Sequence, residues 1–340
     1  MKITVYDQDF QEPEIKPKAS LDQYCKLMDR EVSLTLASPE RLISRECPGC
    51  HSQQRRPAFD KSGLSYVECA HCKSVYVSPC PSDDALTAFY RDSAAATFWR
   101  VRLWEETREV RRQKLYRPLA EWILNTVDRY LPNANRAIDV GYHSKLLLEE
   151  LMLGSKPLSS IVVTNAIADI ECSGIEVAGV QICPTVLTEL KRYVPVDIVF
   201  AFDILPCIAD VDAVFSGAQS GLTIGGLLFV NTISISGFDL RVLWEHSPII
   251  YPPDRLNLLS VEGLENLSKR HGFEILEFST PGTFDVEIVK RTLQRKPELT
   301  CDRFIRYLLM ERDDQALRKF QEYLQEHRLS SYVRLVLRKC

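Results

Sequence analysis

The chain has 340 residues, 45% of them apolar and 26% charged, with a formal net charge of −4. This is the composition of ordinary globular domains; the length suggests two domains with extensions, and the slight acidity argues against a dedicated nucleic-acid binder, which concentrates basic residues. No apolar run is long enough to span a bilayer, the N-terminus lacks an apolar core behind positive charge, and eleven cysteines in a chain of this length suit a reducing cytoplasm better than a secreted disulfide scaffold.

Residues 1–45 read as an N-terminal extension, polar at first and then helical over Leu21–Leu36. Residues 46–80 carry the sharpest motif, Cys47-Pro-Gly-Cys50 and Cys69-Ala-His-Cys72, two CxxC knuckles with eighteen residues between them. That spacing is that of a four-cysteine zinc site. Two such turns present four thiolates in a tetrahedron, which leaves no open position for substrate. The metal expected here is therefore a structural Zn²⁺ in a zinc ribbon, with strands at Leu64–Glu68 and Ser74–Ser78. Pro79 and Pro81 break the chain, and Ser82-Asp83-Asp84 starts a helix with acidic residues in its first turn. Residues 81–132 form a helical linker or cap with Trp99, Trp104 and Trp122. Arginines at 100, 102, 108, 111 and 112 alternate there with Glu105, Glu106 and Glu109, the pattern of a salt-bridged helix face rather than a phosphate-binding patch.

After Pro132 the rhythm changes to short apolar strands separated by helices. Arg136–Gly141, Ser160–Thr164, Ile175–Val180, Val196–Phe202 and Leu222–Asn231 read as five buried strands of a parallel sheet. Gly225-Gly226 reads as a turn before the fifth of them. Ser260 caps a helix ending at His271-Gly272, glycine being the usual residue just past a helix end. Phe273–Phe278 and Thr283–Lys290 then read as a closing strand pair, which completes a domain over 133–292. Residues 293–340 read as a helical extension: two amphipathic helices, with Asp313-Asp314 as a turn and cap, then a basic tail. Leu317, Phe320 and Leu324 form an apolar stripe suited to core, a dimer face or a partner protein.

Several of these segments resemble the class I S-adenosylmethionine-dependent methyltransferases. The sequence RAIDVG (136–141) resembles their first strand and the start of the glycine-rich loop, and VDIVFAFDIL (196–205) their fourth strand. IGGLLFV (224–230) resembles the entry to their fifth strand, and Gly272-Phe273-Glu274 the turn into the sixth. PDRLNLLS (253–260) and the VYVSP that follows the ribbon (75–79) are also similar to segments of bacterial members that modify sugars or other small metabolites. The resemblance implies an α/β, Rossmann-like sheet and a methyl donor, S-adenosylmethionine, lying over Asp139, Gly141, His143, Asn165 and Asp203. The implied acceptor is a small molecule or sugar under the 244–255 loop, where His246 or Tyr251 would serve as catalytic residue alongside Asp203. Histidine titrates near neutrality and so suits a general base. His246 equally suits an ordinary surface position, and Asp139 and Asp203 equally suit turn caps.

Four positions depart from the family pattern. Gly141 is followed by Tyr142-His143-Ser144-Lys145 instead of further glycines, and Asn165 stands where an acid would grip the ribose. Pro206-Cys207 replaces a Glu-His pair, and Arg255 replaces a histidine. Three readings follow. Either the loop still binds the donor, with His143 or Lys145 on its carboxylate, or the domain is a catalytically silent binding or scaffold module. In the third, His143-Ser144-Lys145 at a helix N-terminus holds another anion.

Overall fold

In the computed structural model the described residues are 12–141, 145–154, 158, 160–163, 180–182 and 195–340. The described residues open with helices α1 (Glu12–Ile15) and α2 (Lys18–Thr35), then strand β1 (Leu42–Ile43). The cysteine module contributes β2 (Arg55–Lys61), β3 (Leu64–Cys69), β4 (Val75–Val77) and β5 (Cys80–Pro81). Helices α3 (Asp83–Asp92), α4 (Ala94–Phe98), α5 (Glu105–Arg111) and α6 (Arg117–Tyr130) form the cap, with π-helical segments at Trp99–Trp104 and Arg112–Tyr116. As expected, the Ser82 side chain caps α3, accepting from the Ala85 N–H.

The sheet domain follows: β6 (Arg136–Asp139), α7 (Lys145–Met152), β7 (Ser160–Val163), β8 (Val180–Ile182), β9 (Val196–Phe202), α8 (Val211–Gly221) and β10 (Leu222–Ile233). Then come α9 (Phe238–Leu243), β11 (Asn257–Leu258), α10 (Val261–Arg270) and β12 (Phe273–Ser279). The chain ends with α11 (Asp285–Arg295), α12 (Arg303–Glu311), α13 (Asp314–Glu326) and β13 (Tyr332–Lys339). The main sheet runs β12-β13-β10-β9-β6-β7-β8, parallel from β10 through β8 and antiparallel on both sides of β13. This is the α/β, Rossmann-like architecture expected from the alternating strands and helices. Along β9, Ile198, Phe200 and Phe202 pack on one face while Val199 and Ala201 pack on the other, so both faces are buried. On the α6–α7 face Trp122 meets Phe229 edge-on at 5.4 Å, and Phe229 lies 5.7 Å from Phe200.

The C-terminal part differs from expectation. Thr283–Lys290 is no strand: Asp285–Arg295 is helix α11, because Val286, Val289 and Leu293 recur at helical spacing and are buried. The partner of β12 is the supposed basic tail. Tyr332–Lys339 enters the sheet between β10 and β12, with Val333, Leu335, Val336 and Leu337 buried. Its cation Arg334 is only 4% exposed and lies 5.0 Å from the Trp122 ring. The division expected at 292/293 therefore cuts through one sheet. The third-strand expectation, Ile175–Val180, falls outside the described residues except for Val180 itself, which opens β8.

The ribbon is likewise joined to the later chain. Its sheet runs β11-β4-β3-β2, so Asn257–Leu258 supply an edge strand. Arg270 on α10 donates to the Gly49 and Pro48 carbonyls at 2.7 and 3.1 Å. Asp212 on α8 joins three side chains, with His51 at 2.8 Å, Arg270 at 2.7 Å and His271 at 2.6 Å.

Candidate active site and metal centre

The two knuckles converge. The Sγ atoms of Cys47, Cys50, Cys69 and Cys72 all lie within 4.8 Å of one another, and the pairs Cys47–Cys72 and Cys50–Cys69 are each 3.5 Å apart. Those separations are too long for a disulfide and close to the edge of a tetrahedron with metal–sulfur distances of about 2.3 Å. Hydrogen bonding with Cys47, and then with Ser74, outweighs burial and holds the Cys72 thiol down to about 5. Ser74 is itself fixed by the sheet domain, its Oγ accepting from the Ser260 N–H at 3.0 Å. Ser260 also caps α10, accepting from the Gly263 N–H at 2.9 Å. The helix cap read from sequence thus also anchors the loop that carries Cys72.

The second centre lies at the carboxyl edge of the parallel strands. From β6 the chain crosses to β7 on one side, and from β9 to β10 on the other, so the β6/β9 boundary is the topological switch point. Ligands of open α/β sheets bind outside such a point. Asp139 ends β6, is fully buried, and accepts the Gly141 N–H on Oδ1 at 2.8 Å. It orders the turn instead of presenting a carboxylate at the surface. A Cβ on residue 141 would stand 2.9 Å from both Asp139 Oδ1 and the Phe202 carbonyl, so the close approach of the two strand ends requires glycine. Asp203, just past β9, has φ +55°, a left-handed conformation that Asp and Asn adopt more readily than most residues. Its N–H donates to Asn231 Oδ1 at 2.6 Å, and Asn231 Nδ2 donates to the Tyr332 hydroxyl at 3.0 Å.

Asp203 also lines a cavity of about 150 Å³ between the sheet edge, the helical cap and the N-terminal helices. Its walls hold Tyr24, Phe89, Tyr90, Trp99, Trp104 and Tyr116. Lys16, Arg111 and Arg255 supply positive charge, and Asp203 and Asp254 negative charge. The Tyr24 and Tyr90 hydroxyls donate to the two Asp254 carboxylate oxygens at 2.5 and 2.9 Å. Arg111 is held by Thr107 Oγ1 and the Ile15 carbonyl, both at 2.7 Å, and its guanidinium lies 5.1 Å from the Trp104 ring. Burial, then Arg255 and Arg111, push the Lys16 ammonium down to about 8.

The structure brings Asp139, Gly141 and Asp203 to one edge, and Asp203 alone of the expected catalytic residues lines the cavity. His246 does not. It sits half-exposed in the short turn Trp244–His246, 3.7 Å from Glu245. Tyr251 lies one layer behind the wall, its ring 6.3 Å from that of Tyr24, and burial raises its pKa. The 244–255 stretch contributes Asp254 and Arg255 instead. His143 and Asn165 lie outside the described residues. Sequence reasoning missed Lys16, Tyr24, Tyr90 and Arg111 as site residues, since no local pattern ties them to Asp254. Asn231 did carry a signal, as an amide near the end of an otherwise apolar strand.

No protein-family model matches the sequence, and no curated protein does. Solved structures give distant likenesses. The plantazolicin methyltransferase BpumL in complex with SAH is 12% identical, with a TM-score of 0.46 over 76% of this chain and 95% of that one. A SAM-dependent methyltransferase from Archaeoglobus fulgidus is 13% identical, with a TM-score of 0.43 over 66% of this chain and 94% of that one. The [4+2]-cyclase SpnF is 17% identical, with a TM-score of 0.39 over 64% of this chain and 80% of that one. Values this low carry no statement about activity.

Proposed function

We propose that this chain is an S-adenosylmethionine-dependent methyltransferase for a small-molecule or carbohydrate-type acceptor, with a structural zinc in its four-cysteine ribbon. The observation that carries this reading is the switch point. Gly141 and Asp203 leave adjacent parallel strands at their carboxyl ends, and Asp203 is shared with an aromatic, polar cavity under the helical cap. A donor over Gly141 and a ring-sized acceptor in the cavity would then meet at Asp203. When bound, the donor supplies an electrophilic methyl group. The chain's residues need chiefly to align the two reactants, which is where most of the rate advantage of such transfers arises. Asn231 fixes the Asp203 backbone, and the cap and N-terminal helices wall the cavity. The cysteine set fits zinc by its soft donors and its close spacing, with no position left for catalysis.

The test is binding of S-adenosylhomocysteine to wild type and Asp203→Asn. Asparagine keeps the left-handed backbone and removes only the charge. Loss of one charge-assisted hydrogen bond predicts affinity weaker by roughly tenfold or more. Equal affinity in the two proteins would remove Asp203 from the donor site. The silent-module reading predicts no binding to either.

A further inference from the structure

We infer that the cavity takes an anionic acceptor, a single ring bearing a carboxylate or phosphate oxyanion, with Arg255 as its specificity-determining residue. The inference rests on the acceptor-side reading above and adds the chemical class of ligand.

Its first support is an incomplete hydrogen-bond set. Arg255 Nη1 donates to the Asp254 carbonyl at 2.6 Å, but the buried Nε has no partner among the described residues. A buried donor left without an acceptor costs about 1–3 kcal/mol, and more when charged. Such a cost is relieved when a ligand oxygen arrives. The second support is charge balance. Three cations face two carboxylates in the lining, and both oxygens of Asp254 already accept phenol hydroxyls. Lys16 stands beside Glu12 at 3.2 Å, while Arg111 is fixed by Thr107 and Ile15. With Lys16 paired to Glu12, the cations held in place without a carboxylate hydrogen bond among the described residues are Arg111, on neutral partners, and Arg255, whose Nε is unpartnered there. Arginine's planar fork suits carboxylate and phosphate oxygens. The third support is size and surface. The cavity's volume of about 150 Å³ is that of a space known to admit one benzene ring, and six aromatic side chains offer flat faces against which a ring stacks.

Neutral and anionic rings of matched shape provide the experiment: benzoate against benzyl alcohol, and glucuronate against glucose. Each is titrated by ligand-observed NMR into the zinc-loaded full chain at pH 7 without methyl donor. At least one anion is expected to bind roughly ten- to hundredfold more tightly than its neutral counterpart. Arg255→Gln should abolish that preference, and Arg255→Lys, which keeps the charge but not Nε, should restore only part of it. Should the Arg255 variants unfold, Lys16→Met at the cavity wall provides the second test and should weaken the anion alone. Equal binding of anion and neutral ring, no binding of any of the four at millimolar concentration, or an anion preference surviving in Arg255→Gln would each overturn the inference. Because donor is absent, a retained anion preference beside failed donor binding would sink the methyltransferase reading alone. Donor binding without anion preference would sink this inference alone.

Discussion

Asp212→Asn probes how the ribbon is fastened to the sheet domain. Asp212 on α8 takes His51 from the ribbon and Arg270 and His271 from the end of α10. Burial pushes its carboxyl up, but hydrogen bonds from His51, His271 and Arg270 prevail and hold it down to about 2. The fall from the ordinary 3.8 to about 2 converts to about 2.5 kcal/mol at roughly 1.36 kcal/mol per pH unit. With the side chain 30% exposed, solvent screening reduces this to about 1–2 kcal/mol. Since the folded value is the depressed one, the contribution is complete above the unfolded value near 3.8 and is lost as pH falls through about 2. Urea denaturation of zinc-loaded protein at pH 7, followed by tryptophan fluorescence, should therefore show Asp212→Asn about 1–2 kcal/mol less stable. Arg270→Gln combined with it should cost less than the sum of the two, as coupled groups do. A loss below about 0.5 kcal/mol, or strict additivity, would refute the network as a structural joint.

Three further outcomes follow from the same geometry. Metal analysis should find one zinc per chain, and Cys69→Ser should remove it and loosen β4–β11 pairing, read as faster amide exchange at Val77, whose N–H donates to the Leu256 carbonyl at 2.9 Å. Phe229→Ala removes a fully buried ring packed on Trp122 and Phe200 and should cost about 3–5 kcal/mol in the same urea melts. Lys16, held down to about 8 by burial, Arg255 and Arg111, loses its charge as pH rises through that value; benzoate or glucuronate affinity should fall between pH 7 and 9, and Lys16→Met should flatten that profile.

What the sequence made legible were features whose causes are local. Four thiols at CxxC spacing, the Ser260 cap and the apolar run Val196–Phe202 each announce their structure within a few residues. Strand β13 was misread because Arg334, Arg338 and Lys339 suggest solvent, whereas Arg334 is covered by Trp122 and Arg338 pairs with Glu274 at 2.6 Å. Thr283–Lys290 was misread because its apolar residues 286 and 288 alternate like a strand; the helical stripe needs Val289 and Leu293 to show itself. The cavity was the least legible, since its wall joins Tyr24 to Asp254 across 230 positions. Arg255 was visible as a departure from a family pattern, but its buried Nε is a property of the fold.

Calorimetric titration of the purified, zinc-loaded protein with S-adenosylmethionine and S-adenosylhomocysteine tests the donor site most directly. Saturable binding of both is expected in the micromolar range, about −8 kcal/mol. No heat up to millimolar donor, from protein shown by circular dichroism to be folded, would contradict the methyltransferase reading and put the silent binding module in its place.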